Sequence, residues 1–267
     1  MGSHKNLFIV SAVALMASAF SANAADYIPE PPVVELPPAE HFGGWYLRGD
    51  IGYASISVDE VSYYQGATQT GRFEIHEFED SWMIGAGVGY QINRNFRVDW
   101  TLDYYASTDF TGSSALNVAC SDGTVGAICS YSDNSAFSAT TFLANAYVDI
   151  GNWHGFTPYV GAGVGGAYVT WDTLNNVERQ VSGTAVTTLA NDTHAGESGW
   201  RFAYGLHAGA SYDLSTNLKI DAGYSYTNIS EGEMVGFGST SGLVGTQSYH
   251  SEMEIHTFRL GLRYQIW

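Results

Sequence analysis

From Gly43 onward, apolar and polar residues alternate with a period of two, the signature of β-strands with two unlike faces. The clearest run is 255–267. Phe258, Leu260, Leu262, Tyr264 and Ile266 share one face, and Thr257, Arg259, Gly261, Arg263 and Gln265 share the other. Seven further runs follow the same rule, predicting strands at 44–57, 81–92, 96–107, 139–150, 156–171, 199–213 and 218–229. In the first, Trp45, Leu47, Ile51 and Tyr53 oppose Tyr46, Arg48 and Asp50. In the third, Phe96, Val98, Trp100, Leu102 and Tyr104 oppose Arg97, Asp99, Thr101 and Asp103. The alternation falters at Gly165-Gly166, which predicts a bulge there.

The connectors alternate as well. Those after the second, fourth and sixth strands are turn-sized, and those after the first, third, fifth and seventh are long. A soluble sandwich has no reason for this asymmetry. A barrel crossing the bacterial outer membrane has one: short turns on the periplasmic side, long loops outside and an even strand count. An apolar face on every strand, with arginines and aspartates on the other, places lipid outside and polar groups inside. A lipocalin-like soluble barrel would reverse this. The expected fold is therefore all-β, an eight-stranded antiparallel up-and-down transmembrane β-barrel with four long extracellular loops and short periplasmic turns. The last strand must pair with the first, because hydrocarbon tolerates no open sheet edge. Trp45, Trp82, Phe96, Phe156, Trp171, Trp200 and Trp267 lie near strand ends, where interfacial girdles belong. Trp267 is one step out of phase with the lipid-facing residues before it.

Composition narrows the function classes. The chain has 267 residues with 31 Gly, 18 Tyr and only 10 Lys+Arg, and its net charge is −17, which argues against a nucleic-acid partner. The mean hydropathy of −0.08 does not flag a membrane protein, but alternating strands escape that test. Residues 1–24 read as a secretory signal: Lys5, an apolar run, then Ala22-Asn23-Ala24 as a small-x-small cleavage site. Residues 25–42 hold five of the six prolines and read as an extended periplasmic linker, with the barrel occupying 43–267. Export permits disulfides, and Cys120 and Cys129, the only cysteines, are expected to pair within one loop.

The stretches Gly44-Trp-Tyr-Leu-Arg-Gly-Asp-Ile-Gly52, Tyr159-Val-Gly-Ala-Gly-Val-Gly165 and Leu260-Gly-Leu-Arg-Tyr264 carry a family likeness. So do the Ala-Asn-Ala signal end and the Ala25-Asp26 start of a Pro-rich spacer. Together they resemble the alphaproteobacterial (rhizobial-type) small outer-membrane β-barrel proteins, the porin-family or OmpA-like barrel domains. The resemblance implies the outer membrane as location and a role in stabilising the envelope. It also implies covalent attachment of an N-terminal Ala-Asp to peptidoglycan, here Ala25 and Asp26. The partners that follow are outer-membrane lipids and lipopolysaccharide, peptidoglycan and the barrel-assembly machinery. Some family members are described as weak pores or haem binders, so a small porin or haem-uptake protein is the alternative, with an adhesin acting through the loops as a third.

The expected barrel-interior charges are Arg48, Asp50, Arg97, Asp99, Asp103, Asp149, Arg201, Asp221, Arg259 and Arg263, with Lys219 beside them. An eight-stranded interior is just wide enough for side chains to fill, so these charges should pair into a plug rather than line a pore. The histidines (4, 41, 76, 154, 194, 207, 250 and 256) are scattered, and no HExxH, GxSxG or Walker spacing is present. The chain is therefore expected to be no enzyme and to need neither cofactor nor metal. The acidic loops, with Asp59, Glu60, Glu74, Glu77, Glu79, Asp80, Glu231, Glu233, Glu252 and Glu254, read as solvated surface.

Overall fold

The structure, a computed structural model, describes residues 43–65, 69–182, 184–238 and 241–266. The signal, the linker, Ala25, Asp26 and Trp267 lie outside the described residues.

Eight strands form a closed antiparallel ring: β1 (Gly44–Val58), β2 (Ser81–Gln91), β3 (Phe96–Ser113), β4 (Ile128–Asp149), β5 (Phe156–Trp171), β6 (Ser198–Asp213), β7 (Leu218–Ile229) and β8 (Met253–Gln265). Each pairs with its sequence neighbours, and β8 pairs with β1 from Tyr46↔Gln265 to Val58↔Met253, which closes the sheet. Every backbone edge in the ring is thereby satisfied, as a lipid-embedded sheet requires. The outward face is apolar and exposed: Trp45, Leu47, Ile51, Ile84, Trp100, Leu102, Phe142, Val164, Phe202, Leu206, Phe258 and Leu260 all point away from the interior. A surface of this kind is incompatible with water and matched to lipid.

The structure departs from the sequence reading in three places. There is no bulge at Gly165-Gly166, because both ladders flanking β5 run through it without a shift of register. Gly166 is simply an outward position, and the Trp200 ring on β6 lies against it. The irregularity lies instead on β3, where the register to β4 shifts between Tyr105 and Thr108. Second, β3 and β4 run well past their expected loop-side ends, and the long connectors hold strands of their own. The hairpin Leu174–Ser182 and Ala185–His194 extends the sheet from β4, and Ile75–Phe78 pairs with the end of β3. Gly232–Gly236, Thr246–His250, Val61–Gln65 and Gln69–Arg72 form a separate four-stranded sheet. Third, Trp171 is no girdle residue. It is buried and faces inward, while Trp45, Trp82, Phe96, Phe156 and Trp200 are exposed.

Candidate functional site

The barrel interior has two compartments. The one nearer the short turns is ionic. Inward positions of β1, β3, β4, β7 and β8 bring Arg48, Asp50, Arg97, Asp99, Asp103, Asp149, Asp221, Arg259 and Arg263 together. Arg48 grips Asp50 with two nitrogens, Nε at 2.9 Å and Nη2 at 2.7 Å, and gives Nη1 to Asp99 at 3.0 Å. Across the barrel, Arg259 makes a two-pronged contact to Asp103 at 2.9 and 3.0 Å and reaches Asp50 at 3.5 Å. Arg263 pairs with Asp221 at 3.2 Å, and Arg97 with Asp149 at 3.1 Å. Planar forks of this kind match carboxylate geometry, and buried charges without such partners would be very costly.

Two expected members stand apart. Arg201 lies at the loop end of β6 and donates to the Glu233 and Trp200 carbonyl oxygens, so it takes no part in the ion-pair network. Lys219 pairs with Asp213 while partly exposed at the short-turn end.

The network recruits neutral residues that charge counting overlooked. Tyr46 Oη donates to Asp99 at 3.0 Å, and Asn145 Nδ2 donates to the other Asp99 oxygen at 2.8 Å. His207 Nε2 lies 3.1 Å from Asn145 Oδ1, and Ser211 Oγ accepts from Arg263 at 2.7 Å. The Arg97 guanidinium carbon lies 4.0 Å from the Tyr147 ring centre and 4.6 Å from that of Tyr159. Its two terminal nitrogens have no hydrogen-bond acceptor, so the ring faces take that role. The available signal was strand parity, since all of these residues share the inward phase of the charged ones. Parity also accounts for an inward glycine. A methyl at Gly85 would run into the Asp103 carboxylate that Arg259 holds.

Nearer the loops the interior is apolar. Ala54, Ile56, Met83, Tyr105, Leu143, Val169, Ile229, Met253 and Ile255 are buried there. Above them Phe78, Phe110, Phe137 and Trp171 pack ring against ring, with centroids 5.1–5.9 Å apart, within the range of favourable aromatic contacts. His250 closes this cluster, its ring 5.9 Å from Trp171 and its Nδ1 2.7 Å from the Ser251 carbonyl oxygen. Burial holds the His250 imidazole down at about 4, so it is neutral at pH 7.

Beyond the barrel, Cys120 and Cys129 are bonded, with Cα atoms 5.0 Å apart. Glu178 is buried beside them and accepts hydrogen bonds from the backbone N–H of Ser121, at 2.8 Å, and from its hydroxyl. Among the described residues, Cys120, Cys129 and Glu178 are the one group of three metal-type ligands close enough to share an ion, and both sulfurs are committed to the disulfide.

The described interior thus carries ion pairs nearer the short turns and apolar and aromatic side chains nearer the loops. Residues 12–265 match the family model described as the outer membrane protein beta-barrel domain. An uncharacterised protein of Brucella abortus is 38% identical, over 94% of this chain and 95% of its own length. A putative adhesin of Rickettsia bellii is 30% identical, over 83% of this chain and 88% of its own. The crystal structure of the outer membrane protein OprG from Pseudomonas aeruginosa superposes with a TM-score of 0.46 at 14% identity, covering 83% of this chain and 96% of that one. The chain belongs to the outer-membrane protein β-barrel domain family and resides in the bacterial outer membrane.

Proposed function

We propose that the protein is a structural, non-conducting barrel of the outer membrane that stabilises the envelope, with Ala25-Asp26 as its covalent attachment to peptidoglycan. The observation that carries the first half is the filled interior. Paired arginines and aspartates occupy the part nearer the short turns, and Phe78, Phe110, Phe137 and Trp171 occupy the part nearer the loops. Side chains held by two-pronged ion pairs do not move aside cheaply for a solute. The second half rests on the family resemblance and on direction. β1 begins at Gly44, which pairs with Gln91 beside the short turn between β2 and β3, the end that outer-membrane barrels keep on the periplasmic side. A free amine on a proline-rich spacer can reach a layer that the barrel itself cannot.

Two measurements test this. Reconstituted into planar bilayers, the protein gives no resolved unitary conductance of porin size, and steady channel steps would overturn the non-conducting half. Muramidase-digested sacculi yield an N-terminal Ala25 peptide bearing a muropeptide, and recovery of the free amine alone would overturn the tether.

A second reading has its own support. The long connectors build an ordered sheet outside the barrel, and relatives at about 30% identity are named putative adhesins. If the loops engage a host surface, replacing 61–72 and 232–250 with short turns abolishes host-cell binding and leaves assembly intact. Unchanged binding would remove this reading.

A further inference from the structure

The loop side carries a cavity of about 580 Å³ that the barrel's structural role does not use. It opens between the separate four-stranded sheet and the hairpin 174–194. That size suits a small molecule or one long side chain. Its chemistry is one-sided. The carboxylates that line it are Asp133 and Asp192, and the one basic side chain is His194.

Asp133 is the central group. It is 1% exposed, its two oxygens accept from Asn176 Nδ2 and from the Ser114 backbone N–H, and among the described residues it makes no ion pair with an arginine or lysine. Burial pushes its carboxyl above the usual range, against the opposing pull of the Asn176 and Ser114 hydrogen bonds and of His194. Two further polar atoms at the cavity wall lack partners. Ser248 is 2% exposed and its hydroxyl makes no hydrogen bond, and Gln247 Oε1 is buried and equally unpaired. Buried polar groups are nearly always satisfied, so two unpaired acceptors lining the same cavity as a buried carboxylate mark a place suited to a donor. The wall beside Ser248 is aromatic, since Tyr63 is its cross-strand partner. Tyr63 and Phe73 meet edge to face at 5.6 Å, with the Tyr63 hydroxyl turned away to the Ser114 carbonyl oxygen.

We propose that this cavity binds a primary alkylammonium group carried on an apolar body, with Asp133 as its counter-ion. Such a group offers three N–H donors and accepts nothing. Asp133, Ser248 Oγ and Gln247 Oε1 supply acceptors, and the Tyr63 and Phe73 rings receive the apolar portion and the cation's field. A carboxylate ligand would meet Asp133 and Asp192 as like charges. A neutral alcohol would leave Asp133 uncompensated.

The test uses the full-length protein, folded in detergent micelles, and isothermal titration with three probes of one shape: phenethylammonium, 2-phenylethanol and 3-phenylpropionate. Phenethylammonium binds saturably and the other two do not. Asp133→Asn keeps the side-chain shape and weakens binding about tenfold or more, the loss of one charge-assisted contact. Ser248→Ala weakens it less, and heat-modifiable gel mobility confirms that each variant is folded. Should Asp133→Asn misfold, Gln247→Leu takes its place, again with weakened binding expected. Replacing phenethylammonium with an acetylated lysine amide separates the two sources of this chemistry, since tighter binding by the lysine derivative points to a protein partner's side chain and tighter binding by the free amine to a small molecule. Equal binding of 2-phenylethanol, no saturation by any amine, or unchanged affinity in folded Asp133→Asn would overturn the proposal.

Discussion

The two halves of the barrel interior solve one packing problem with opposite chemistry. Nearer the short turns, Arg48, Arg97, Arg259 and Arg263 are knitted to aspartates. Nearer the loops, the same inward face of the same strands carries Ala54, Ile56, Phe137, Val169, Trp171, Met253 and Ile255. The outer face changes in the reverse sense. On β1 it runs Trp45, Leu47, Ile51, Tyr53 and then Ser55 and Ser57. On β8 it runs from Phe258 back to His256 and Glu254. β1 and β8 are thus polar inside and apolar outside at membrane depth, and apolar inside and polar outside beyond it. The solvent on the outer face decides which. Against lipid, the outward residues must be apolar and the interior takes the polar ones. Against water, the ordinary rule of soluble proteins returns. The level at which the faces exchange, near Tyr53, Tyr104 and Tyr168, marks the outer membrane boundary, where tyrosine ring and hydroxyl are both at home.

This contrast can be broken from either side. The largest effect is expected in the ionic half. Removing Arg259 alone (Arg259→Met) strands Asp103 and destabilises the barrel by about 3–5 kcal/mol, whereas Arg259→Met with Asp103→Leu loses much less. Guanidinium unfolding of protein refolded into bilayers reads both, and equal losses would mean that the pair contributes only packing.

In the apolar half, Trp171→Ala costs about 3 kcal/mol, but locally. Loop proteolysis should accelerate while the heat-modifiable gel shift of the barrel survives. Loss of the gel shift would show that the two halves fold as one unit. Smaller again is the disulfide. Cys120→Ser with Cys129→Ser removes a bridge across a separation of 9 residues, worth about 2–3 kcal/mol of loop stability, seen as faster hydrogen exchange in 114–131.

The smallest effect is that of pH on the aromatic cluster that His250 closes. His250 is neutral when folded, with its imidazole held at about 4, and binds a proton more readily when unfolded, near 6.5. Between those values the unfolded state holds more protons, so stability rises with pH through this window and falls on acidification. Moving from pH 7 to pH 5 removes about 2 kcal/mol from the loop-end cluster. Loop proteolysis followed against pH should lose this dependence in His250→Gln.

Much of the fold was legible because lipid imposes strict alternation on a strand. Strand existence, facing and closure of β8 on β1 all follow from parity, and so do nearly all of the interior ion-pairing residues. The reading weakened where lipid stops. Past the boundary the outward apolar signal vanishes, so the extensions of β3 and β4 and the second sheet looked like loop. Trp171 was misread for the same reason. A tryptophan at a strand end resembles a girdle residue, yet it shares its phase with Ala167 and Val169 and opposes Tyr168 and Val164. Arg201 shows the converse limit. Its phase is inward, but it sits above the level where charges have partners. The loop cavity has no local signature at all, since Tyr63, Asp133, Asn176 and Ser248 come from four separate segments.

The seam between β1 and β8 has a consequence in time. Its partners come from opposite ends of the described chain, so no local event can form it, and the cross-strut from Arg259 to Asp103 spans 156 positions. Until β8 arrives, β1 presents a row of unpaired amides and carbonyls that would readily template the wrong partner. Non-local pairing of this kind is slow. The rate at which the barrel matures should therefore depend on how long that first edge is shielded, more than on how quickly any hairpin within the ring can form.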